Sequence, residues 1–290
     1  MTTMTGPTTR TLEVPGVVLT YDVRRAASPT APVLLMIGSP MGAGGFGTLA
    51  GHFTDRTVVT YDPRGVERSV KADPSSVSTP AQHAADLHRI IADLDEGAVD
   101  LFATSGGAVN ALALVSEHPE DVRTLVAHEP PLAAILPDRE AAMAFTKAIS
   151  DTYEQSGFGP AMAQFILAVG HRGPITAEFA SQPPPDPAMF GLPADDDGKR
   201  SDALLHQNIV TSTHYEPDFE VLRAASTRIV LAAGTESEGQ MANRGASAAA
   251  ERLGTAVVSF PGDHGGFLGG EYGQVGDPDA FGAKLREVLG

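Results

Sequence analysis

The chain reads as an α/β protein: a mostly parallel central sheet, helices on both faces, and a helical insertion. Three observations predict it. Residues 32–37 (PVLLMI) and 57–61 (TVVTY) are continuous apolar runs of the kind found in strands covered on both faces. Segments with helical spacing separate such runs up to residue 131 and again from 217, an alternation that sets strands parallel. Between 132 and 216 that rhythm stops, and helical segments follow one another without strands. The divisions expected are a disordered N-terminus at 1–10, a core made of 11–131 and 217–290, and a helical cap at 132–216.

Taken in order, residues 11–14 and 17–23 alternate around Pro15-Gly16 and predict a hairpin. The strand at 32–37 runs into a glycine-rich loop, Gly38 to Gly45, and a short helix follows at 46–53. The strand at 57–61 closes on Asp62-Pro63-Arg64-Gly65. Residues 79–94 are helical by spacing, with Ala84, Leu87, Ile90, Ile91 and Leu94 on one side. A strand at 99–102, a helix at 108–116 and a strand at 122–127 complete the first half. In the insertion, 141–154 and 160–169 are the clearest helices, and 202–213 is a third; 181–198, rich in Pro and Asp, is a loop. The core resumes with a helix at 219–225, strands at 228–233 and 257–260, and helices at 243–253 and 280–289.

Length and composition narrow the function. At 290 residues and 42% hydrophobic, the chain can fill one large core and still carry an insertion. A formal net charge of −16 argues against nucleic acid or an anionic membrane as partner. With no cysteine there is no disulfide and no thiolate chemistry. Residues 1–9 are polar and lack the apolar centre of a signal peptide. No apolar run approaches the roughly 20 residues that span a bilayer. The expectation is a cytoplasmic protein acting on a small-molecule substrate, without cofactor; a homodimer is the one assembly considered, with the oligomeric state left open by the sequence.

The chemistry concentrates at residues 98–108, AVDLFATSGGA. A buried strand that turns sharply into a helix at a serine flanked by small residues is a nucleophile elbow. Ser105 then stands alone at the top of the sheet, and the first amides of the helix face whatever it attacks. Ala103 takes the place of the first glycine of Gly-x-Ser-x-Gly. His264, in the loop Phe260-Pro261-Gly262-Asp263-His264-Gly265-Gly266-Phe267, is the candidate base. The other eight histidines lie mostly on predicted helices or in the insertion. His83 and His88 are five apart rather than the four of a helical zinc pair, so no metal is expected.

With these residues in view, the chain resembles the α/β-hydrolase superfamily, in its capped branch of esterases, haloperoxidase-like enzymes, epoxide hydrolases and haloalkane dehalogenases. The resemblance rests on Ile37-Gly38-Ser39-Pro40 after a buried strand, on residues 62–69 (DPRGVERS), on the Ser105 elbow and on the late His264. Ile37 departs from the usual His, and Glu67 from a usual glycine. Ser105 stands where dehalogenases and epoxide hydrolases hold Asp, which favours acyl chemistry. The resemblance implies an oxyanion hole of the Ser39 and Gly106 amides, and a structural rather than catalytic Asp62 and Arg64. The triad acid has two sources. The common position lies three residues past Gly234 and holds Ser237, which cannot carry the charge; Glu236 and Glu238 flank it. Glu129, at the end of the strand after the elbow helix, is the preferred acid. Met41, Phe145, Phe165 and Phe267 are the expected substrate-pocket residues. The implied activity is a carboxylesterase-like serine hydrolase of a small apolar ester, thioester or lactone; a cofactor-free perhydrolase, a C–C hydrolase and a non-catalytic ligand receptor are the alternatives.

Overall fold

The computed structural model describes residues 6–290. Its strands are β1 (Thr8–Val14), β2 (Val17–Arg24), β3 (Leu34–Ile37), β4 (Val58–Asp62), β5 (Val70–Lys71), β6 (Val99–Thr104), β7 (Val122–His128), β8 (Arg228–Gly234) and β9 (Val258–Phe260). They form one sheet in the order β1-β2-β4-β3-β6-β7-β8-β9, with β5 paired to β2. The hairpin pairs β1 with β2 antiparallel and β2 runs antiparallel to β4; from β4 to β9 every neighbour is parallel. The expected disorder of 1–10 does not extend to residues 8–10, which pair with Tyr21, Asp22 and Val23. Residues 1–5 lie outside the described residues. The two-residue β5 had no signal in the sequence: its only pairing is with Val17 and Val18, far away in the chain.

Alternation along each strand fills both faces. Leu35 and Ile37 of β3 join Leu101 and Ala103 of β6 in one cluster, under α2 (Pro80–Leu94), α3 (Gly106–Glu117), α8 (Phe219–Ala224) and α9 (Met241–Leu253). Leu34, Met36 and Phe102 point the other way, toward α1 (Gly47–Gly51) and α10 (Pro278–Leu289). Thr79 starts α2 with a capping box closed by Gln82, worth about 1 kcal/mol. α3 is buried from Gly106 to Val115, as a helix apolar all round must be.

Asp100 interrupts the apolar run of β6, and the structure gives the reason. Its fully buried carboxylate accepts from Arg56 Nη1 at 2.9 Å and from Arg123 Nε at 2.9 Å. Either arginine alone would leave part of a buried charge uncompensated, a loss of several kcal/mol. Arg64 makes a comparable pair, its Nε and Nη2 donating to Asp86 of α2 at 2.8 and 2.6 Å.

The insertion leaves from the end of β7. It contains α4 (Arg139–Ser156), α5 (Phe158–Gly170), the single turn α6 (Ala177–Ala180), a π-helical stretch at Ala203–Asn208 and α7 (Ile209–Thr213), with no strand. Phe145, Ile149, Tyr153, Ala161 and Leu205 give it a core of its own. Polar clamps tie it to the rest. Asp138 accepts from Ile175 N at 2.6 Å and pairs with Arg244 of α9, which also donates to Gly173 O at 2.9 Å. Gln207 accepts from Lys71 Nζ at 2.9 Å, and Asn208 Oδ1 lies 2.8 Å from His83 Nε2.

Candidate active site

Parallel pairing brings three strand ends level. Thr104 pairs with His128, and His128 with Ala232. One residue further on, Ser105 N donates to His128 O and Glu129 N to Ala232 O, both at 2.9 Å. Neighbouring strands are about 4.8 Å apart, so Ser105, Glu129 and the β8 terminus share one small region at the carboxyl edge of the sheet.

Ser105 has φ 56° and ψ −132°, and α3 begins at the next residue. A non-glycine residue in the left-handed region is strained, by about 1–3 kcal/mol, and is kept where geometry demands it. The demand is visible in its neighbours. A Cβ on Gly106 would stand 2.6 Å from Ser39 O, and one on Gly107 would stand 2.8 Å from Gly38 Cα. The loop after β3 therefore lies directly on the first turn of α3, and Ser39 and Gly106 are adjacent. Asp62 holds that loop, its Oδ1 accepting from Ala43 N at 2.8 Å while Oδ2 accepts from Arg68 Nε at 2.6 Å. Glu67 takes up a left-handed conformation, φ 45°, at the position where the resemblance leads one to expect glycine. Its Oε1 accepts from Tyr272 OH at 3.2 Å.

Glu129 is also left-handed, φ 51°, and completely buried. Its Oε2 lies 2.5 Å from His264 Nδ1. Its Oε1 accepts from Gly234 N at 2.9 Å and from the Ser237 hydroxyl. Burial pushes the Glu129 carboxyl up, but the His264 hydrogen bond, the field of His128 and His264, and the Ser237 hydroxyl together hold its pKa at about 2. The group is ionised at neutral pH, so Nδ1 of His264 carries the proton between them. His264 keeps 31% of its side chain exposed. No Ser105–His264 hydrogen bond is formed; such catalytic hydrogen bonds often tighten only when substrate binds. The loop bearing His264 rests on Gly234, where a Cβ would stand 2.6 Å from Gly262 O.

Under this array sits His128, fully buried beside Phe102, Phe260, Phe267 and Phe281, with Nδ1 3.0 Å from Thr104 Oγ1 and Nε2 without a partner. Burial lowers its pKa to about 4, so it is neutral near pH 7.

The other expected site residues are placed as follows. Glu236 and Glu238 are exposed, and it is their carbonyl oxygens that act, accepting from Arg172. Neither carboxylate bonds His264. Two of the expected pocket residues lie deep in aromatic clusters. Phe267 is 2% exposed and stacks on Phe46 at 5.7 Å, and Phe145 is 1% exposed in the insertion core with Phe179 at 5.0 Å. Aromatic neighbours cover most of the surface of both rings. Phe165 is half-buried against the same insertion core. Met41 is half-buried and touches Gly38 and Gly45 in the Ser39 loop. Among the described residues, His88, His118 and Asp121 form one group with donor atoms within 4.8 Å of each other. His118 caps the far end of α3, about 18 Å of helix away from Ser105. The contacts of Ser237 with Glu129 and of Asn243 with Ser237 went unread in the sequence; the one available signal was a serine at the position where an acid is usual.

A largely parallel sheet in this order, with a left-handed serine at the β6–α3 turn and a histidine past the last strand, defines an α/β hydrolase. Residues 32–163 match the family model for the alpha/beta hydrolase fold. The chain is 31% identical over 277 residues to the uncharacterized hydrolase YraK of Bacillus subtilis (strain 168), covering 89% of both chains. It belongs to the α/β hydrolase family and is a hydrolase. Among solved structures it is similar to a thermophilic esterase from Thermogutta terrifontis, with TM-score 0.67 and 18% identity over 98% of each chain. It is also similar to the enol-lactonase from Burkholderia xenovorans LB400, with TM-score 0.65 and 17% identity over 97% of this chain and 99% of that one. At these identities the likeness is one of fold. No helix among the described residues is long and apolar enough to cross a membrane.

Proposed function

We propose that this hydrolase is a carboxylesterase-like serine enzyme that cleaves an ester, thioester or lactone of a small apolar substrate. The observation that carries the reading is the 2.5 Å pairing of His264 Nδ1 with buried Glu129, beside a strained serine at a helix N-terminus. In the reaction, Ser105 Oγ attacks the carbonyl carbon while its proton passes to His264 Nε2. The oxyanion is held by the Gly106 and Ser39 amides, and loss of one such donor costs about 10²–10³ in rate. Glu129 stabilises the imidazolium, which then protonates the leaving oxygen or sulfur. Water, deprotonated by the same imidazole, attacks the acyl-Ser105 carbonyl; its collapse frees the acid and returns the proton to Ser105. An esterase and an enol-lactonase among the fold neighbours suit this substrate class. The insertion at 132–216 acts as a cap over the site, which fits its departure from the same sheet edge as Ser105.

The test is Ser105→Ala assayed with p-nitrophenyl esters of graded chain length and with a fluorophosphonate probe. Turnover should fall about 10⁶-fold, and the covalent adduct on residue 105 should vanish while the fold persists. Wild-type turnover by a folded Ser105→Ala protein excludes the mechanism.

A further inference from the structure

Ser237 is fully buried, yet it belongs to an exposed turn between Glu236 and Glu238. Its hydroxyl lies against three polar atoms. Glu129 Oε1 is a direct partner, Gly234 O is 3.1 Å away, and Asn243 Nδ2 is 3.3 Å away. A hydroxyl has one proton to give. Glu129 is ionised and can only accept, and a charged acceptor outcompetes a neutral carbonyl. Asn243 Nδ2 is also 3.3 Å from Gly234 O, which can only accept, so the amide nitrogen is the atom turned toward both. The network therefore has a direction: Asn243 N–H donates to Ser237 Oγ, whose proton goes to Glu129 Oε1. Gly234 N–H donates to the same oxygen. Both donors serve Oε1, and Oε2 is left to His264.

We infer that Ser237, oriented by Asn243, is a positioning residue for the triad acid: it fixes the rotation of the Glu129 carboxylate and draws charge from it, so that one oxygen faces His264 Nδ1. The inference rests on the triad reading above. Ser237 touches no reacting atom and acts only through Glu129. The titratable groups facing Glu129 are His128 on its own strand and His264.

Two consequences separate positioning from mere packing. Without the hydroxyl, the carboxylate is freer to turn, and His264 is less well oriented for proton transfer. The carboxylate also keeps more charge of its own, which favours the imidazolium form of His264. The experiment is Ser237→Ala, with Asn243→Leu as the milder second variant, assayed on p-nitrophenyl acetate from pH 5 to 9 alongside Glu129→Gln and thermal melts. For Ser237→Ala, kcat should fall about tenfold, as for one charge-assisted hydrogen bond, with KM within about twofold. The acid limb of kcat/KM should move to higher pH. Asn243→Leu should change both in the same direction, by less. If Ser237→Ala melts lower but keeps wild-type kcat and an unmoved acid limb, Ser237 is a packing residue and the inference falls. If Glu129→Gln itself turns over normally, the triad reading falls first. An inactive Glu129→Gln beside an unaffected Ser237→Ala removes only the role given to Ser237.

Discussion

The ends of β7 and β8 are neighbours in the sheet and meet at one carboxylate, but they come to it with opposite chemistry. β7 ends at His128 and is followed by Glu129, which is left-handed with its side chain buried. β8 ends in Gly234, whose amide donates to that side chain, and the following turn brings in the Ser237 hydroxyl. One strand end supplies the charge and the other supplies the donors that hold it. On the triad proposed above, the difference teaches that the place of the acid is set by the imidazole it must reach. Two adjacent strand ends can reach that place, and the end that does not carry the acid must then satisfy it, because a buried carboxylate short of donors loses several kcal/mol.

The largest break in this comparison is removal of the charge. Glu129→Gln keeps the shape but offers His264 an amide, and it frees the imidazole to take the wrong tautomer. We expect kcat to fall about 10³–10⁴-fold with a small change in KM. The comparison can also be reversed. Ser237 Oγ touches Oε1, so an aspartate at 237 in a Glu129→Ala background places a carboxylate near the vacated point. Ser237→Asp should recover at least about tenfold of the activity lost by Glu129→Ala. No recovery would mean that the β8 end supplies donors but cannot substitute as the source of charge.

A second effect is on stability against acid. His128 and His83 are buried with pKa lowered by burial to about 4, against 6.5 when exposed. Between those values the unfolded chain binds protons that the folded chain refuses, so stability falls as pH drops through this window. Each histidine can contribute a loss of up to about 3 kcal/mol at 1.36 kcal/mol per unit. Glu129, held at about 2, adds its own loss only below about 4.5, as the unfolded carboxyl begins to protonate. Urea midpoints measured from pH 7.5 to 4 should therefore decline from about 6.5 downward, before carboxylates titrate. A midpoint flat to pH 4.5 would contradict the burial of these rings. In Glu129→Gln the decline above 4.5 should persist and the steeper part below it should lessen.

Much of this was legible in the chain. Period and composition placed the parallel strands, and the small residues around Ser105 marked the elbow, because local crowding leaves a local trace. The pairing of His264 with a glutamate at a strand end was also within reach, since Glu129 directly follows a recognisable strand beside the elbow. What could not be read depends on contacts distant in the chain. Asp100 looks like a flaw in a strand until Arg56 and Arg123 converge on it. Phe145 and Phe267 have the composition of pocket residues, and only packing reveals that other aromatics enclose them. Ser237 was noticed for the charge it lacks; its role as a donor appears only when Glu129 arrives from β7.

The smallest expected effect concerns Glu236 and Glu238, which the sequence alone left as rival acids. They flank Ser237 on a turn whose side chains alternate, so Ser237 points inward and both glutamates point to solvent. What the turn contributes at these two positions is backbone: the carbonyls of 236 and 238 both accept from Arg172, which belongs to the insertion. A change of side chain leaves those carbonyls in place. Glu236→Gln and Glu238→Gln should each keep kcat within about twofold of wild type and shift stability by less than about 0.5 kcal/mol, as exposed substitutions do. Arg172→Ala should cost more stability than either, since it removes the donor and leaves the turn to hold Ser237 without that brace. If Glu238→Gln or Glu236→Gln instead cuts kcat by orders of magnitude while Glu129→Gln does not, the acid comes from the β8 side and the two strand ends must exchange roles.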